Sequence, residues 1–178
     1  FVAGGLLGTG AATFYLVAYV LTSLGTFGAL SAISTSEGER ETIASLRGLH
    51  FERPGVAAIL TLSMLSLAGI PLTAGFIGKF LVMTAGAGNL EVFYAILIVL
   101  IVGSGIGLYY YLRVVWVMYQ RPDDVEAGSI TPVPAGRVSE FALFALVLVA
   151  VGLLFIGVYP TPLIDLLRNI LANLSFGG

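Results

Sequence analysis

The sequence predicts an all-α protein, a polytopic bundle of transmembrane helices, on three observations. Of its 178 residues, 58% are hydrophobic and only 10% are charged, and the mean hydropathy is +1.02. Soluble domains carry about a quarter charged residues, so this chain lacks the polar side chains to cover a water-exposed surface. Its apolar residues also occur in runs longer than the roughly 20 helical residues that a bilayer requires.

Charge and cysteine content exclude several classes of protein. The net charge of −2, without a basic patch, argues against a nucleic-acid partner. No cysteine is present, so the chain has no disulfide framework and no thiolate or iron–sulfur ligand, and a metal site cannot be built on His50 alone. The sequence starts inside an apolar run without the pattern of a signal peptide. We therefore expect it to be a piece of a longer polypeptide.

The first charge-free run, from Phe1 to Ser36, is too long for one span. As a helix it would reach about 54 Å, against a hydrocarbon core of about 30 Å. Gly8-Thr9-Gly10 is the expected break, leaving a helix stub over 1–8 and a span over about 11–34. Residues 35–53 then hold seven charges. Ser36 and Glu39 have the spacing of a capping box, which predicts a short surface helix over about 38–47.

The second span, over about 55–85, is predicted to be a broken helix. A straight helix from Pro54 to Ala85 would be about 48 Å long. Pro71 has no N–H, and its ring clashes with the carbonyl of the residue four before it. Glycine weakens a helix, and three glycines flank this proline: Gly69, Gly75 and Gly78. Broken helices in membranes are typical of transport pathways, although a steep tilt would be an alternative way to fit this length.

The remaining elements follow from the same patterns. Residues 85–89 predict a tight turn, and a third span covers about 92–119. Residues 120–137 predict a loop, and a fourth span over about 140–159 ends at Tyr159-Pro160. The tail helix over about 162–174 has leucines at helical spacing, with polar side chains at Asp165, Arg168 and Asn173. That pattern predicts an amphipathic helix at the membrane interface.

Arginine positions predict the orientation of the spans. They cluster in the first and third loops, at Arg40, Arg47, Arg53, Arg113, Arg121 and Arg137, whereas the turn at 85–89 has none. By the positive-inside rule these two loops face the cytoplasm. The C-terminus then lies outside.

Lys79 is the only formal charge between Pro54 and Leu90, and two interpretations of it stay open. On a straight helix it would lie about 14 Å from the bilayer centre and extend its stem to the headgroups. At a helix break it would lie within the membrane, where a charged lysine costs about 2.5–3.5 kcal/mol. Such a lysine faces the protein interior and is suited to lose and regain a proton.

Several polar and small residues are assigned secondary roles. If Lys79 is a proton relay, Gly75 and Gly78 leave room for water, and Thr22, Ser23 and Thr26 are candidate water-holding partners. The simpler expectation for these three hydroxyls is hydrogen bonding to their own helix. The glycine-rich stretch 103–107 follows no strand, so it predicts close helix packing rather than nucleotide binding. Glu91 is expected at the outer turn, in solvent.

Three stretches carry a resemblance to a known family. LSLAGIPLTAGFIGKF, YYYLRVVWVMY and the PLIDLL tail resemble the N subunit of proton-pumping NADH–quinone oxidoreductase (respiratory complex I), whose mitochondrial counterpart is NADH dehydrogenase subunit 2. The upstream FYLVAYVLTSLGTFGAL and the ETIASLRGL loop are also similar to it. The resemblance extends over nearly the whole chain, and the GIP…GF.GKF pattern is specific to the antiporter-like subunits.

The resemblance implies a fold, a role and partners. It implies a fourteen-helix antiporter-like fold with two inverted five-helix repeats, of which this chain would supply the end of helix 10 and helices 11 to 14. Lys79 would be the proton-path lysine of the discontinuous helix 12. No cofactor is expected in this chain. NADH, FMN, iron–sulfur clusters and quinone would be used by other subunits of the enzyme.

The expected setting is the bacterial inner membrane, or the mitochondrial inner membrane if the protein is organellar. The partners would be other membrane subunits of the complex and the lipid bilayer. Two alternatives stay open: a subunit of a multi-subunit cation/proton antiporter, and a membrane scaffold without a transport role, in which Lys79 only anchors the helix.

Overall fold

The computed structural model describes residues 5–34, 42–121 and 139–175, and within these ranges the chain is helical, with no strand. This confirms the all-α class. In chain order the elements are α1 (Gly5–Ile33), a 3₁₀ helix (Ile43–Leu46), α2 (Leu49–Glu52), α3 (Pro54–Ala68), α4 (Ala74–Ala85), α5 (Leu90–Tyr119), α6 (Glu140–Val158) and α7 (Thr161–Ser175).

Helix α1 is continuous through Gly8-Thr9-Gly10, so the expected division into a stub over 1–8 and a span over 11–34 is wrong. Glycine destabilises a helix by about 1 kcal/mol relative to alanine but keeps its N–H, so it weakens the helix without ending it. The Thr13 hydroxyl donates to the Thr9 carbonyl at 2.8 Å. Gly10 lies against α7, where an added Cβ would be 3.8 Å from Leu171 Cδ1. Packing on α7 therefore supports this end of α1.

The surface helix predicted over about 38–47 is corrected where the structure describes it. Ser36 and Glu39 lie outside the described residues. The part that follows is the 3₁₀ helix, capped by Thr42, whose hydroxyl oxygen accepts from the Ser45 N–H at 3.2 Å. Leu46 is buried. This segment therefore turns an apolar side chain into the protein instead of lying along the surface.

Three helices of the described chain are long and apolar enough to cross a membrane: residues Leu7–Ile33 of α1, all of α5 and all of α6. Helices α3 and α4 have only 15 and 12 residues. Together they occupy the span predicted over 55–85, and residues 69–73 separate them. The expected broken helix is thus confirmed.

The ends of the later helices match the sequence patterns. The Asn89 side chain accepts hydrogen bonds from the N–H groups of Glu91 and Val92, so α5 starts directly after the predicted turn. Helix α6 ends at Val158, just before Tyr159-Pro160. Positions 122–137 of the predicted loop lie outside the described residues. Helix α7 is amphipathic, with Leu167 buried and its charged residues exposed, while its place at a membrane interface stays a prediction.

Two apolar clusters hold these helices together around α1. The first joins α1, α2, α3 and the end of α5, with buried side chains Ile33, Leu49, Leu60 and Met118. The second joins α1, α4, α6 and α7, with buried side chains Phe14, Ala18, Ala74, Leu153 and Leu167. Thr22 lies between the two clusters along α1 and is itself buried. Buried polar side chains at Thr22 and Thr26 therefore separate the two apolar clusters along α1.

Helix α6 approaches the break between α3 and α4 through Gly157. A Cβ added there would overlap the Leu72 carbonyl oxygen and lie 2.7 Å from Thr73 Cα. On the same helix, a Cβ added at Gly152 would meet nothing within 4 Å among the described atoms. Only one of these two glycines is therefore required by packing in this part of the chain.

We predict that Gly157→Ala destabilises the fold by about 1–3 kcal/mol, because the added methyl displaces rigid backbone rather than a flexible side chain. The matched control, Gly152→Ala, should not lower stability and should raise it by up to about 1 kcal/mol, because alanine favours a helix interior over glycine. Both variants would be made in the full-length protein, and the thermal melting temperature after purification from membranes would be measured. Equal melting temperatures for the two variants would show that α6 does not hold the break in this way.

Candidate functional site

The site begins with the end of α3, which Gly69 and Pro71 fix. Gly69 has φ +81°, a left-handed conformation that glycine adopts without strain. Its N–H donates to the Ser66 carbonyl at 3.0 Å, and the Ile70 N–H donates to the Leu65 carbonyl at 3.0 Å. This pair of bonds is the Schellman arrangement that closes many helices. The helix therefore ends with two of its last carbonyls satisfied.

The chain re-enters a helix within five residues. Leu72 has φ +73°, a conformation that costs a non-glycine residue of order 1–3 kcal/mol. Thr73 then caps α4: its hydroxyl donates to the Ile70 carbonyl at 2.7 Å, and its oxygen accepts from the Phe76 N–H at 3.4 Å. The strained residue is thus held between a C-terminal cap and an N-terminal cap.

The break leaves the carbonyls of Leu67 and Ala68 without helical donors. In a continuous helix they would accept from residues 71 and 72, but residue 71 is proline and the chain has already turned away. Lys79 Nζ donates to both oxygens, at 3.2 Å to Leu67 and 3.0 Å to Ala68. The negative end of the α3 dipole also favours a cation at this position.

A third partner comes from α5. Lys79 Nζ donates to Ser104 Oγ at 3.1 Å. An ammonium group has three N–H donors, and these three oxygens match them one for one. All three are uncharged. The half-buried Lys79 side chain is thus directed at the end of α3 and at α5. This geometry fits the interpretation that places the lysine at a helix break, rather than the one in which its stem extends to the headgroups.

A cavity of about 260 Å³ adjoins the ammonium group. Its polar lining comes from three tyrosines, two serines, one threonine and the lysine: Tyr15, Tyr19, Thr22, Ser66, Lys79, Ser104 and Tyr111. A water molecule occupies about 30 Å³ in the liquid. The cavity therefore has room for several waters next to a group that can carry a proton.

The two glycines of α4 differ in how they relate to the prediction that they leave room for water. Gly75 is among the residues that line the cavity, although a Cβ there would overlap the Ser66 carbonyl oxygen. Gly78 is not among them, and a Cβ there would lie 3.0 Å from Tyr15 Cδ2, so it allows α4 to pack closely on α1. Gly69 is the glycine that borders the lysine, since a Cβ there would lie 2.8 Å from Lys79 Nζ.

The three candidate hydroxyls of α1 separate into one that lines the cavity and two that do not. Thr22 lines it, with its Oγ1 2.7 Å from the Ala18 carbonyl and 3.1 Å from Ser66 Oγ. The Thr26 hydroxyl donates to the Thr22 carbonyl at 3.0 Å, as the simpler expectation has it. Ser23 and Thr26 are not among the residues that line the cavity.

Ser66 was not predicted, and it joins three helices. Its oxygen accepts from the Gly75 N–H of α4 at 3.1 Å and lies 3.1 Å from Thr22 Oγ1 of α1. Since the Thr22 hydroxyl donates to the Ala18 carbonyl, the Ser66 hydroxyl is the donor toward Thr22. The bonds therefore run in one direction, from α4 through α3 to α1. Nothing in the sequence marks this serine among the others of α3.

Ser104 is also absent from the predicted site residues, although it lies in the glycine-rich stretch that the sequence pattern assigns to helix packing. Among the described atoms, nothing lies within 4 Å of a Cβ added at Gly103 or Gly105. The packing interpretation is therefore not seen in this part of the chain. Ser104 is the one residue of this stretch with a hydroxyl group. A single hydroxyl in an apolar helix is the sequence feature that could have predicted a polar contact here.

The remaining polar residues singled out in the sequence lie away from the cavity. Glu91 is exposed in the first turn of α5. The His50 ring stacks on the Tyr119 ring, with centroids 4.4 Å apart. Among the described residues, no group of three or more histidine, cysteine or acidic side chains is placed to hold a metal ion.

Comparison with known proteins places this geometry in a family. Residues 1–107 match the family described as NADH:quinone oxidoreductase/Mrp antiporter, TM. The chain is 46% identical over 175 residues to NADH-quinone oxidoreductase subunit N of Acinetobacter baumannii, covering 94% of this chain and 34% of that protein. It is 46% identical over 174 residues to the protein of the same name from Methylococcus capsulatus, covering 96% of this chain and 33% of that protein. The chain thus spans about a third of the length of these relatives.

Two solved structures have a similar fold. A chain of respiratory complex I from Thermus thermophilus with bound Aureothin aligns with a TM-score of 0.69 at 34% identity, covering 88% of this chain and 34% of that one. A chain of the Mrp complex from Dietzia sp. aligns with a TM-score of 0.74 at 26% identity, covering 97% of this chain and 39% of that one.

We predict that Ser66→Ala destabilises the protein by about 1–3 kcal/mol, because it leaves the buried Gly75 N–H without an acceptor. The matched control is Thr61→Val, also on α3, where the hydroxyl donates only within its own helix, to the Ala57 carbonyl at 2.7 Å. That change should shift stability by less than about 0.5 kcal/mol. Melting temperatures of the purified full-length variants test this, and a Ser66→Ala value equal to that of the control would contradict the bridging role.

Proposed function

The chain belongs to the NADH:quinone oxidoreductase/Mrp antiporter transmembrane family, and from that premise we propose that it is part of the proton-translocating N subunit of NADH–quinone oxidoreductase. The proposal is supported by identities of 41–46% to proteins named subunit N, over most of this chain. In this proposal the chain contributes to an enzyme, a translocase, as one of its membrane subunits.

One observation carries the mechanism: the Lys79 ammonium group is bound by three uncharged oxygens at a helix break and faces a cavity. An ionisable group within a membrane protein is expensive to place there and is usually functional. Broken helices recur at the ion sites of transporters. Lys79 is therefore the residue proposed to take up and release the transported proton.

The driving force would be the charge of a neighbouring group in the membrane arm. A positive charge arriving about 6 Å from Lys79 Nζ, at an effective dielectric constant near 20, contributes about 3 kcal/mol of repulsion. That changes the protonation equilibrium about 100-fold. Lys79 would lose its proton toward one side of the membrane when the charge arrives and regain a proton from the other side when it leaves.

The redox chemistry would take place elsewhere in the complex. NADH, FMN, iron–sulfur clusters and quinone are assigned to other subunits, which would be coupled to this chain through adjacent membrane subunits. The chain is membrane-embedded, in the bacterial inner membrane by this proposal. The arginine-bearing loops would face the cytoplasm, with the C-terminus outside.

A second candidate is a subunit of an Mrp-type cation/proton antiporter. It is favoured by the fold similarity to a chain of the Mrp complex from Dietzia sp., which extends over 97% of this chain. The same lysine would then serve proton exchange without NADH oxidation. The subunits that copurify with the full-length protein would distinguish the two candidates, because redox-active subunits belong to only one of them.

We predict that Lys79→Ala in the full-length protein lowers both NADH oxidation and lumen acidification in inverted membrane vesicles, by about 10-fold or more. Alanine has no ionisable group to take up a proton, and it leaves the Leu67 and Ala68 carbonyls without a hydrogen-bond donor. Glu91→Gln, which removes an exposed charge at the start of α5, serves as the control and should retain both activities. Assembly of the complex would be verified for each variant first. Activities of assembled Lys79→Ala that match the wild type would favour a scaffold role, in which the lysine only anchors α4.

A further inference from the structure

The three partners of Lys79 differ in the hydrogen bonds that they can form. The carbonyl oxygens of Leu67 and Ala68 can only accept. Ser104 carries a hydroxyl group, which can accept through its oxygen and donate through its hydrogen. This difference is irrelevant while Lys79 is charged, because all three N–H groups then need acceptors.

The difference becomes decisive when Lys79 is neutral. The amine then has two N–H donors and one lone pair. The two carbonyls can still accept the two N–H bonds, but neither can donate to the lone pair. Ser104 can, by rotating its hydroxyl hydrogen toward Nζ at the same 3.1 Å separation. It is the one partner of the three that can accept from the charged ammonium group and donate to the lone pair of the neutral amine.

A second observation shows that this hydroxyl is available. Hydroxyls in helices commonly donate to the carbonyl four residues earlier, and five others here do so: Thr13, Thr22, Thr26, Ser34 and Thr61. For Ser104, by contrast, the bond found within the described residues is the one to Lys79. Its hydrogen is therefore not committed to the α5 backbone.

We propose that Ser104 is a proton-relay residue between Lys79 and water in the adjacent cavity. When the lysine loses its proton, an Nζ–H bond breaks and a new bond forms to Ser104 Oγ, while the original Oγ–H proton passes to a cavity water. The serine ends as it started, and the released proton leaves as hydronium. Uptake reverses these steps. This inference rests on the proposed function, since it assigns the path of the proton that Lys79 carries.

The other serine and threonine hydroxyls in the cavity wall are less suited to this role. The Ser66 hydrogen is directed at Thr22, and the Thr22 hydrogen at the Ala18 carbonyl. That sequence of bonds ends on the α1 backbone and does not include Nζ. Ser104 Oγ contacts Nζ directly, and Ser104 also lines the cavity. It therefore connects the charged group with the cavity that has room for water.

The test compares Ser104→Ala with Ser104→Thr in the assembled complex. Alanine removes the hydroxyl, and we expect proton pumping in inverted vesicles to fall about 10-fold or more. Threonine keeps a hydroxyl at the same position and should restore pumping to within about 2-fold of the wild type. Gly105→Ala, at the next position of α5, is the control for added volume and should pump normally. Ser104→Cys, close to serine in size and a weaker hydrogen-bonding group, should be intermediate and replaces Ser104→Ala if that variant does not assemble.

Each outcome separates the relay from the proposed function. If Ser104→Ala pumps like the wild type while Lys79→Ala does not, the relay is wrong and the function stands. If Lys79→Ala also pumps normally, both are wrong. If Ser104→Ala and Ser104→Thr fail equally in assembled complexes, the requirement is for the size of serine rather than its hydroxyl, and the relay is again wrong. A larger solvent deuterium isotope effect on pumping in Ser104→Cys than in the wild type would further support proton transfer at this position.

Discussion

The structure depends on how two backbone carbonyls obtain hydrogen-bond donors within an apolar bundle. Proline at position 71 supplies no N–H, and the left-handed Gly69 turns the chain away before position 72 can supply one. Leaving such oxygens unpaired away from water costs about 1–3 kcal/mol each. The Lys79 ammonium group satisfies both of them. The lysine and the break therefore stabilise each other: the break gives the charge its acceptors, and the charge gives the break its donors.

This pairing requires α3, α4 and α6 to come unusually close together. Position 75 must be glycine because the Ser66 carbonyl fills the space that a side chain would occupy. Position 157 must be glycine because the backbone of Leu72 and Thr73 fills the corresponding space there. These contacts also hold Leu72 in its unfavourable conformation. Packing energy from the two apolar clusters thus maintains a local geometry that the short segment 69–73 would not adopt alone. The conformation of the break is thus determined by the helices packed around it and not by the preferences of residues 69–73.

The sequence predicts the break and the importance of Lys79 because both follow from local chemistry: a proline, its neighbouring glycines and one charge in an apolar run. It predicts a false break at Gly8-Thr9-Gly10, since glycine content alone does not show whether another helix supports the backbone, as α7 does at Gly10. Ser66 and Ser104 were missed for a related reason. Their partners lie 9 and 44 residues away in the sequence for Ser66 and 25 residues away for Ser104. Tertiary packing brings such distant residues together, and the periodicity of a single segment does not predict it.

The neutrality of the three partners suits the role proposed for Lys79, in which the group takes up and releases a proton. A carboxylate in direct contact would hold the ammonium strongly in a medium of low dielectric constant, and breaking such a buried pair costs about 3–5 kcal/mol. Carbonyl dipoles and a hydroxyl satisfy the same three N–H groups with no net charge. In the proposed mechanism the positive charge would be stabilised enough to exist in the membrane, and one further positive charge nearby would be sufficient to displace the proton. The end of α3 would then stabilise the ammonium group as a counter-ion does, without holding the lysine in a single protonation state.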